Sequence, residues 1–387
     1  MCAEVSYLEL KTKYQYTYFI YPFVVEEKNY KKFITKIMLD SRWNAKIYKK
    51  DEDIEADSHF LSSAKSVMFP TLEWDERKLT KFNSLKSDDK AKILSKLPSA
   101  SFEYRIEDIS KGKAGSEKNA VFFEITNIKL MSFRDGICFL MLKAEIDSND
   151  YAKFSDLLNL NYKFRNASPK YNRLKDYEYI KIQTSKFGTI EDIRDFIKRV
   201  CCDYEDSSNR DIYSNRLFVY SYACVDESEW NTTRDFRTIK DEFLKYQYVL
   251  SGDYSSEFAE NLELNNTYSR WKYSIYGFAK TAGVVFSSAI DHFNFTKLPF
   301  YYETVYMYIM LYALYQRLLY IIILKQLGKN NRQVHKKIQK VTRMTALGQV
   351  TNAEHGMNLW QNWSRTFGLK EMYDYIIKQY TLLGKKG

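Results

Sequence analysis

From Leu298 to Leu327 the chain reads LPFYYETVYMYIMLYALYQRLLYIIILKQL, its longest apolar run, with a single charge, Arg317, between Thr304 and Leu324. The pattern predicts a helix that is apolar on every face, and such a helix is buried in protein or in lipid. Upstream, YQYTYFIYPFVV over Tyr14–Val25 is aromatic and β-branched and predicts a first strand, with Pro22 at an edge or strand end. Phe33, Ile37, Met38 and Trp43 recur at helical spacing and predict a helix over Asn29–Tyr48. Asp51–Lys90 is polar and irregular and predicts a mobile segment. One short capped helix, ended by Pro98, is expected over Ser87–Pro98.

AVFFEITNIKLMSF and GICFLMLKAEI flank Arg134, Asp135 and Gly136, the layout of a hairpin with Asp-Gly at its turn. KGKAGSEKN, Lys111–Asn119, is read as a Gly-containing turn before it. Tyr151–Leu160 predicts a short helix leading into the polar, basic loop NYKFRNASP. A strand (Tyr177–Gln183), a helix (Ile190–Val200), a strand (Arg216–Val225) and a helix (Thr238–Leu250) then alternate, as in α/β layer folds. From Asn265 the reading becomes helical. Tyr268–Ile290 is taken as an amphipathic helix interrupted by Gly277 and Gly283, and Leu359–Leu383 carries a heptad-like apolar stripe suited to a neighbouring helix or a second subunit. The fold class is therefore α/β, a layered mixed sheet with helices over 1–264, followed by a helical, stalk-like part over 265–387.

A membrane span is not the best reading of the apolar run. Its ten Leu, Ile and Val between Thr304 and Leu324 contribute about −0.3 to −0.6 kcal/mol each on insertion, against about +2.5 to +3.5 for a central Arg. Gln316 and five tyrosines erode the remainder. A buried core or subunit-interface helix is expected, with Arg317 held by a carboxylate or carbonyl.

The formal net charge of +10 points to an acidic partner. Thr304–Ala353 holds no Asp or Glu, and Lys336, Lys337, Lys340 and Arg343 form a basic face that suits RNA if the protein acts without a membrane. Asp51, Glu52, Asp53, Glu55 and Asp57 form an acidic run whose oxygens suit Mg²⁺, without the spacing of a calcium loop. The loop residues Asn161, Lys163 and Arg165 interleave amides and cations with aromatics, an arrangement that suits a nucleotide or other small anionic ligand. Arg134 and Lys143 carry the same expectation. The five cysteines show no metal or disulfide spacing and read as reduced thiols. MCAEVSYLELKTKYQY is no secretory signal, so the chain is expected to begin in the cytosol. No dinucleotide, P-loop, zinc or serine-nucleophile motif occurs, no His or Cys pair has ligand spacing, and no catalytic pair for a nucleotide-acting enzyme can be named.

Gly356, Met357 and Asn358 make a Gly-Met-Asn triplet, the signature of the CorA family of divalent-cation transporters. The wider layout also resembles divergent CorA-like proteins: an α/β region, a hairpin with GICFL, a helix with LYALYQRLLYIII, then VTNAEHGMNLWQNWSRTFGLKEMYDYI. In that family about twenty apolar residues, enough to span a bilayer, precede the triplet. Here VTRMTALGQVTNAE precedes it, so this triplet is not read as a pore element. The resemblance implies a cytosolic region at the inner face of a membrane, self-association through the C-terminal helices, and two membrane helices beyond Gly387. It further implies response to a divalent cation or, as in the CorA-like effectors beside type III CRISPR systems, to a nucleotide second messenger.

Overall fold

The aromatic run near the N-terminus becomes the central strand of a large sheet. The computed structural model describes residues 10–106, 110–114, 120–147, 152–165, 180–184, 187–201, 216–226, 240–250, 266–327, 332–346 and 349–384. Strand β1 (Lys11–Val24) lies antiparallel to β6 (Ile137–Ile146) on one side and to β10 (Phe218–Val225) on the other. With β2 (Trp43–Lys46), β3 (Ser99–Tyr104), β4 (Ser110–Ala114), β5 (Val121–Phe133), β7 (Ala152–Lys153), β8 (Ile180–Thr184), β9 (Gly188–Ile190), β11 (Thr267–Tyr268), β12 (Ser274–Ala279) and β13 (Ala282–Ser288), they form one 13-stranded sheet. Its main path runs β11-β12-β13-β10-β1-β6-β5-β4-β8-β9. β10 and β13 are parallel, and the other described pairs are antiparallel. The fold is mixed α/β, with helices on both sheet faces and at the C-terminus.

The expected hairpin is β5–β6. Its turn needs glycine: Gly136 sits at φ +90°, and a Cβ there would lie 1.9 Å from the Val25 carbonyl oxygen. Helices α1 (Glu27–Leu39), α2 (Ile54–His59), α3 (Ser62–Met68), α4 (Glu76–Asn83), α5 (Ser87–Leu94), α6 (Phe154–Phe164), α7 (Ile193–Val200) and α8 (Lys240–Tyr248) follow the strands. The helix expected over Asn29–Tyr48 ends at Leu39, and Trp43 belongs to β2.

Several expectations are overturned. Lys111–Ala114, expected in a turn, belongs to strand β4 and pairs with β5, and residues 115–119 lie outside the described residues. Asp51–Lys90 is largely helical, because Ala56, Phe60, Ala64, Met68 and Leu72 recur every fourth residue and enter the main core. Tyr268–Ile290 is three strands rather than a helix, so the sheet continues past residue 264. Its glycines mark close approach, as glycine does in strands. A Cβ on Gly283 would lie 2.6 Å from Trp363, and one on Gly277 would lie 2.9 Å from Gln247.

The apolar run forms one continuous helix, α9 (Leu298–Gln326), with a π turn at Tyr302–Tyr306. It is the one described helix long and apolar enough to cross a membrane, and 83% of its apolar window is buried inside the protein. β1, β6 and β10 cover one side, α2 and α3 another. α10 (Arg332–Ala346), α11 (Glu354–Phe367) and α12 (Leu369–Gly384) cover the rest. Arg317 finds the carbonyl its position requires: Nη1 donates to the Lys280 oxygen at 3.2 Å, and the guanidinium lies 5.2 Å from the centre of the Phe367 ring. The C-terminal stripe is broken by Gly368 (φ +65°) into α11 and α12, both packed on α9 of the same chain. The described cysteines, Cys138, Cys201 and Cys224, are buried free thiols.

Since overpacking of a filled site costs roughly 1–3 kcal/mol, Gly283→Ala is expected to lower stability by that amount in urea unfolding. Trp363→Leu in the same chain should recover part of the loss, because the clash is with the indole.

Candidate functional site: a charged and tyrosine-lined seam beneath the long helix

Odd- and even-numbered residues of β1 face opposite ways, as a strand requires. Tyr14, Tyr16 and Tyr18 point toward α9, while Thr17 and Phe19 point to the other face. In register, Tyr18 pairs with Lys143 on β6, and Lys129 on β5 lies one strand further out. Lys129, Lys143 and Tyr18 converge on Glu303, in the π turn of α9. Lys129 Nζ is 3.1 Å from Glu303 Oε1, Lys143 Nζ is 2.9 Å from Oε2, and the Tyr18 hydroxyl donates to Oε1. The three charged side chains are only 14–19% exposed. Lys143 also caps the Tyr16 ring at 4.5 Å and lies 3.7 Å from Glu145.

Burial by itself raises the Glu303 pKa, but the positive charges of Lys129 and Lys143, with hydrogen bonds from Tyr18 and Lys143, outweigh it and hold the carboxyl at about 2. Around it Tyr220 stacks on Tyr302 at 4.1 Å and Tyr16 on Tyr222 at 5.7 Å. Their hydroxyls tie the sheet to the helix backbone: Tyr16 donates to the Pro299 oxygen at 2.8 Å and Tyr220 to the Tyr302 oxygen at 3.1 Å. Burial pushes the hydroxyls of Tyr16, Tyr18, Tyr220, Tyr222 and Tyr302 well above the usual tyrosine range.

Further along the same face His355, at the start of α11, is boxed by the rings of Tyr268, Trp271, Tyr276 and Tyr306 at 4.8–5.4 Å. Burial, with Arg270 nearby, lowers its pKa to about 4, so the imidazole is neutral at pH 7. The Gly-Met-Asn triplet occupies this turn as packing. Gly356 lies where a Cβ would meet Thr351 at 2.7 Å, and Asn358 Nδ2 donates to the Tyr268 hydroxyl at 3.2 Å. A third polar centre joins the hairpin turn to two helices: Tyr315 donates to Asp135 Oδ2 at 2.6 Å, and Lys340 Nζ reaches Asp135 at 2.8 Å and the Tyr315 hydroxyl at 2.5 Å.

The residues expected to bind a small anion do not come together. Asn161 is 1% exposed on the opposite sheet face. Its Oδ1 accepts from Thr17 at 2.7 Å, and its Nδ2 donates to Ser221, which also takes the Tyr246 hydroxyl proton at 2.8 Å. It is a core amide, placed inward because α6 continues through the expected loop to Phe164. Arg165 is 7% exposed, with its guanidinium 5.0 Å from the Tyr162 ring, and Lys163 is half-buried on the same helix end. Lys143 lies on the other face, engaged by Glu303. Arg134 is exposed at the hairpin turn, its Nη1 3.4 Å from the Lys96 oxygen. The remainder of the expected loop, from Asn166, lies outside the described residues.

Of the basic face, Lys337 pairs with Glu27 at 2.7 Å and Lys340 with Asp135, while Lys336 and Arg343 remain exposed. The acidic run is likewise engaged: Asp53 by Lys46 at 2.9 Å, Glu52 by Lys49 at 2.6 Å and Asp57 by Lys65 at 2.6 Å. Among the described residues no group of three His, Cys, Asp or Glu could hold a metal ion, so the Mg²⁺ reading of that run gains no support. Sequence reasoning missed Glu303. Its signal is isolation, as it is the one acid between Asp291 and Glu354.

Set against models of known families, curated proteins and solved structures, the chain matches none of them.

Both depressed groups contribute stability above their unfolded pKa values and lose it as pH falls. His355 should cost stability between about pH 6.5 and 4, and Glu303 between about pH 4.5 and 2, up to about 3 kcal/mol each. Urea midpoints against pH should show the two phases, with His355→Phe removing the upper one. Glu303→Gln should remove the lower one and, at pH 7, destabilise by about 3 kcal/mol, since two lysines lose their counter-charge.

Proposed function

We propose that the chain is the cytosolic ligand-sensing part of a CorA-like membrane protein, a divalent-cation transporter or a nucleotide-gated membrane effector of phage defence. In this reading the chain lies at the inner face of the membrane, the membrane helices are outside it, and the C-terminal helices carry self-association. The observation that carries the proposal is the way α9 links the sheet to the C-terminal helices. At one end Glu303 and the carbonyls of Pro299 and Tyr302 are fastened to β1, β5, β6 and β10. Further along, Tyr312 meets Trp360 of α11 at 5.7 Å and Tyr320 meets Tyr373 of α12 at 6.4 Å. A shift of the central strands on ligand binding therefore has a packed route to the last helices, through a π turn, a form of helix often found at functional positions.

The charge states support sensing over catalysis. A general base works best with a pKa near the operating pH. Glu303, at about 2, and tyrosines held well above their usual range stay in one protonation state at pH 7. The ligand class, a nucleotide or other small anion, rests on the net charge of +10 and on the exposed cations.

A thermal-unfolding screen of the chain against Mg²⁺ and linear and cyclic nucleotides tests the proposal. A true ligand at about 100 times its Kd adds about 2.7 kcal/mol of stability and raises the Tm. At least one nucleotide is expected to do so, and a flat response across the panel would remove the basis for a sensing role.

A further inference from the structure

Exposed cations gather at the end of the sheet marked by the β5–β6 turn. Four elements meet there through direct contacts. Lys337 of α10 pairs with Glu27 of α1 at 2.7 Å, and Lys340 of α10 pairs with Asp135 of the turn at 2.8 Å. Arg134 of the turn donates to the Lys96 carbonyl just past α5, and the Val25 amide donates to the Gly136 carbonyl at 2.8 Å. These contacts neutralise Glu27 and Asp135 from within. Glu26, the other acid entering α1, pairs with Lys28 at 3.0 Å.

Left over are Lys31, Lys96, Arg134, Lys336 and Arg343, all exposed and none in a salt bridge among the described residues. Lys31 lies one turn on from Glu27. Lys336 and Arg343 stand seven residues apart on one face of α10, about 10 Å along its axis, or roughly three base-pair steps of a duplex. Stretches far apart in sequence thus supply one cationic surface, and α10 contributes no acid to it.

The chemistry of the surface narrows its partner. Among the described residues, the exposed large apolar side chains are Leu39, Ile54, Phe122, Trp271, Ile290, Phe293, Phe300, Tyr375 and Leu382. None lies on α10, the turn, the end of α5 or the first two turns of α1. Interfacial membrane binding uses apolar anchors beside its cations, and single strands are held by stacking on aromatic rings. With neither present, the surface offers point charges to a regular row of phosphates. We infer that this end of the molecule binds the phosphodiester backbone of a nucleic-acid duplex without reading its sequence. The inference is independent of the proposed sensing role.

Fluorescence anisotropy of the whole chain with labelled duplexes of about 20 base pairs, DNA and RNA in separate arms, tests it. Binding is expected at about 50 mM salt with little sequence dependence, weakening with a log–log slope of about −3 to −4. Arg134→Glu/Lys336→Glu/Arg343→Glu should weaken binding at least about 30-fold and flatten the slope by about 3. Lys11→Glu/Lys272→Glu/Lys297→Glu, an equal charge change at the opposite end, should leave binding within about 3-fold. No duplex binding at about 50 mM salt, equal losses in the two triple variants, or binding to anionic phosphatidylserine vesicles with none to duplexes would overturn the inference. A nucleotide-dependent Tm shift retained by the Arg134/Lys336/Arg343 variant would show that the sensing role stands apart from this surface.

Discussion

One requirement organises the molecule: a helix apolar on every side must be covered on every side. Three layers meet that demand on α9: the tyrosine-rich face of the sheet, the short helices between Ile54 and Met68, and the three C-terminal helices. Because α9 carries five tyrosines between Thr304 and Leu324, the cover must also supply polar partners, and it does. Tyr308 meets the Tyr48 hydroxyl at 3.0 Å, and Tyr315 donates to Asp135. In hydrocarbon these hydroxyls and Arg317 would have no such partners.

Glu303 sets where that helix sits along the sheet. Apolar packing alone is weakly directional, so a helix on an aromatic surface has neighbouring placements of similar energy. A carboxylate that must meet Lys129, Lys143 and Tyr18 together accepts only one of them. The π turn fits the same picture, because the sheet tyrosines take carbonyls at Pro299 and Tyr302 just where the helical repeat loosens. On the opposite face, Thr17, Asn161, Ser221 and Tyr246 form a closed network that fixes α6 and α8 against β1 and β10. Polar groups on both faces of the central strands thus act chiefly as registers.

Much of this architecture was legible because period and turn chemistry agreed with the final packing. The β5–β6 hairpin, the alternating elements through β10 and α8, and the buried α9 all follow from runs whose local pattern matches their burial. Tyr268–Ile290 misled because Gly277 and Gly283, which suggest helix interruptions, make room for Gln247 and Trp363 over strands. Asp51–Lys90 misled because its four-residue apolar spacing is carried by alanines and methionine among many charges. The site was less legible still. Asn161 and Lys143 look like ligand residues in sequence, and only the sheet shows that they face opposite sides. Glu303 is illegible as a site residue because its partners, Tyr18, Lys129 and Lys143, lie far from it in sequence and only the sheet brings them together. Convergence of Arg134 with the α10 cations depends on the contact of Asp135 with Lys340, 205 residues away, which no local pattern encodes.

Amide hydrogen exchange along Leu298–Gln326, in aqueous buffer without lipid or detergent, bears most directly on the account. As a helix covered on all sides, it should exchange as slowly as β1 and β6, through global unfolding alone. Exchange much faster than in those strands, or protection that appears only when lipid or detergent is added, would contradict the assignment of this helix as the packed centre of the fold.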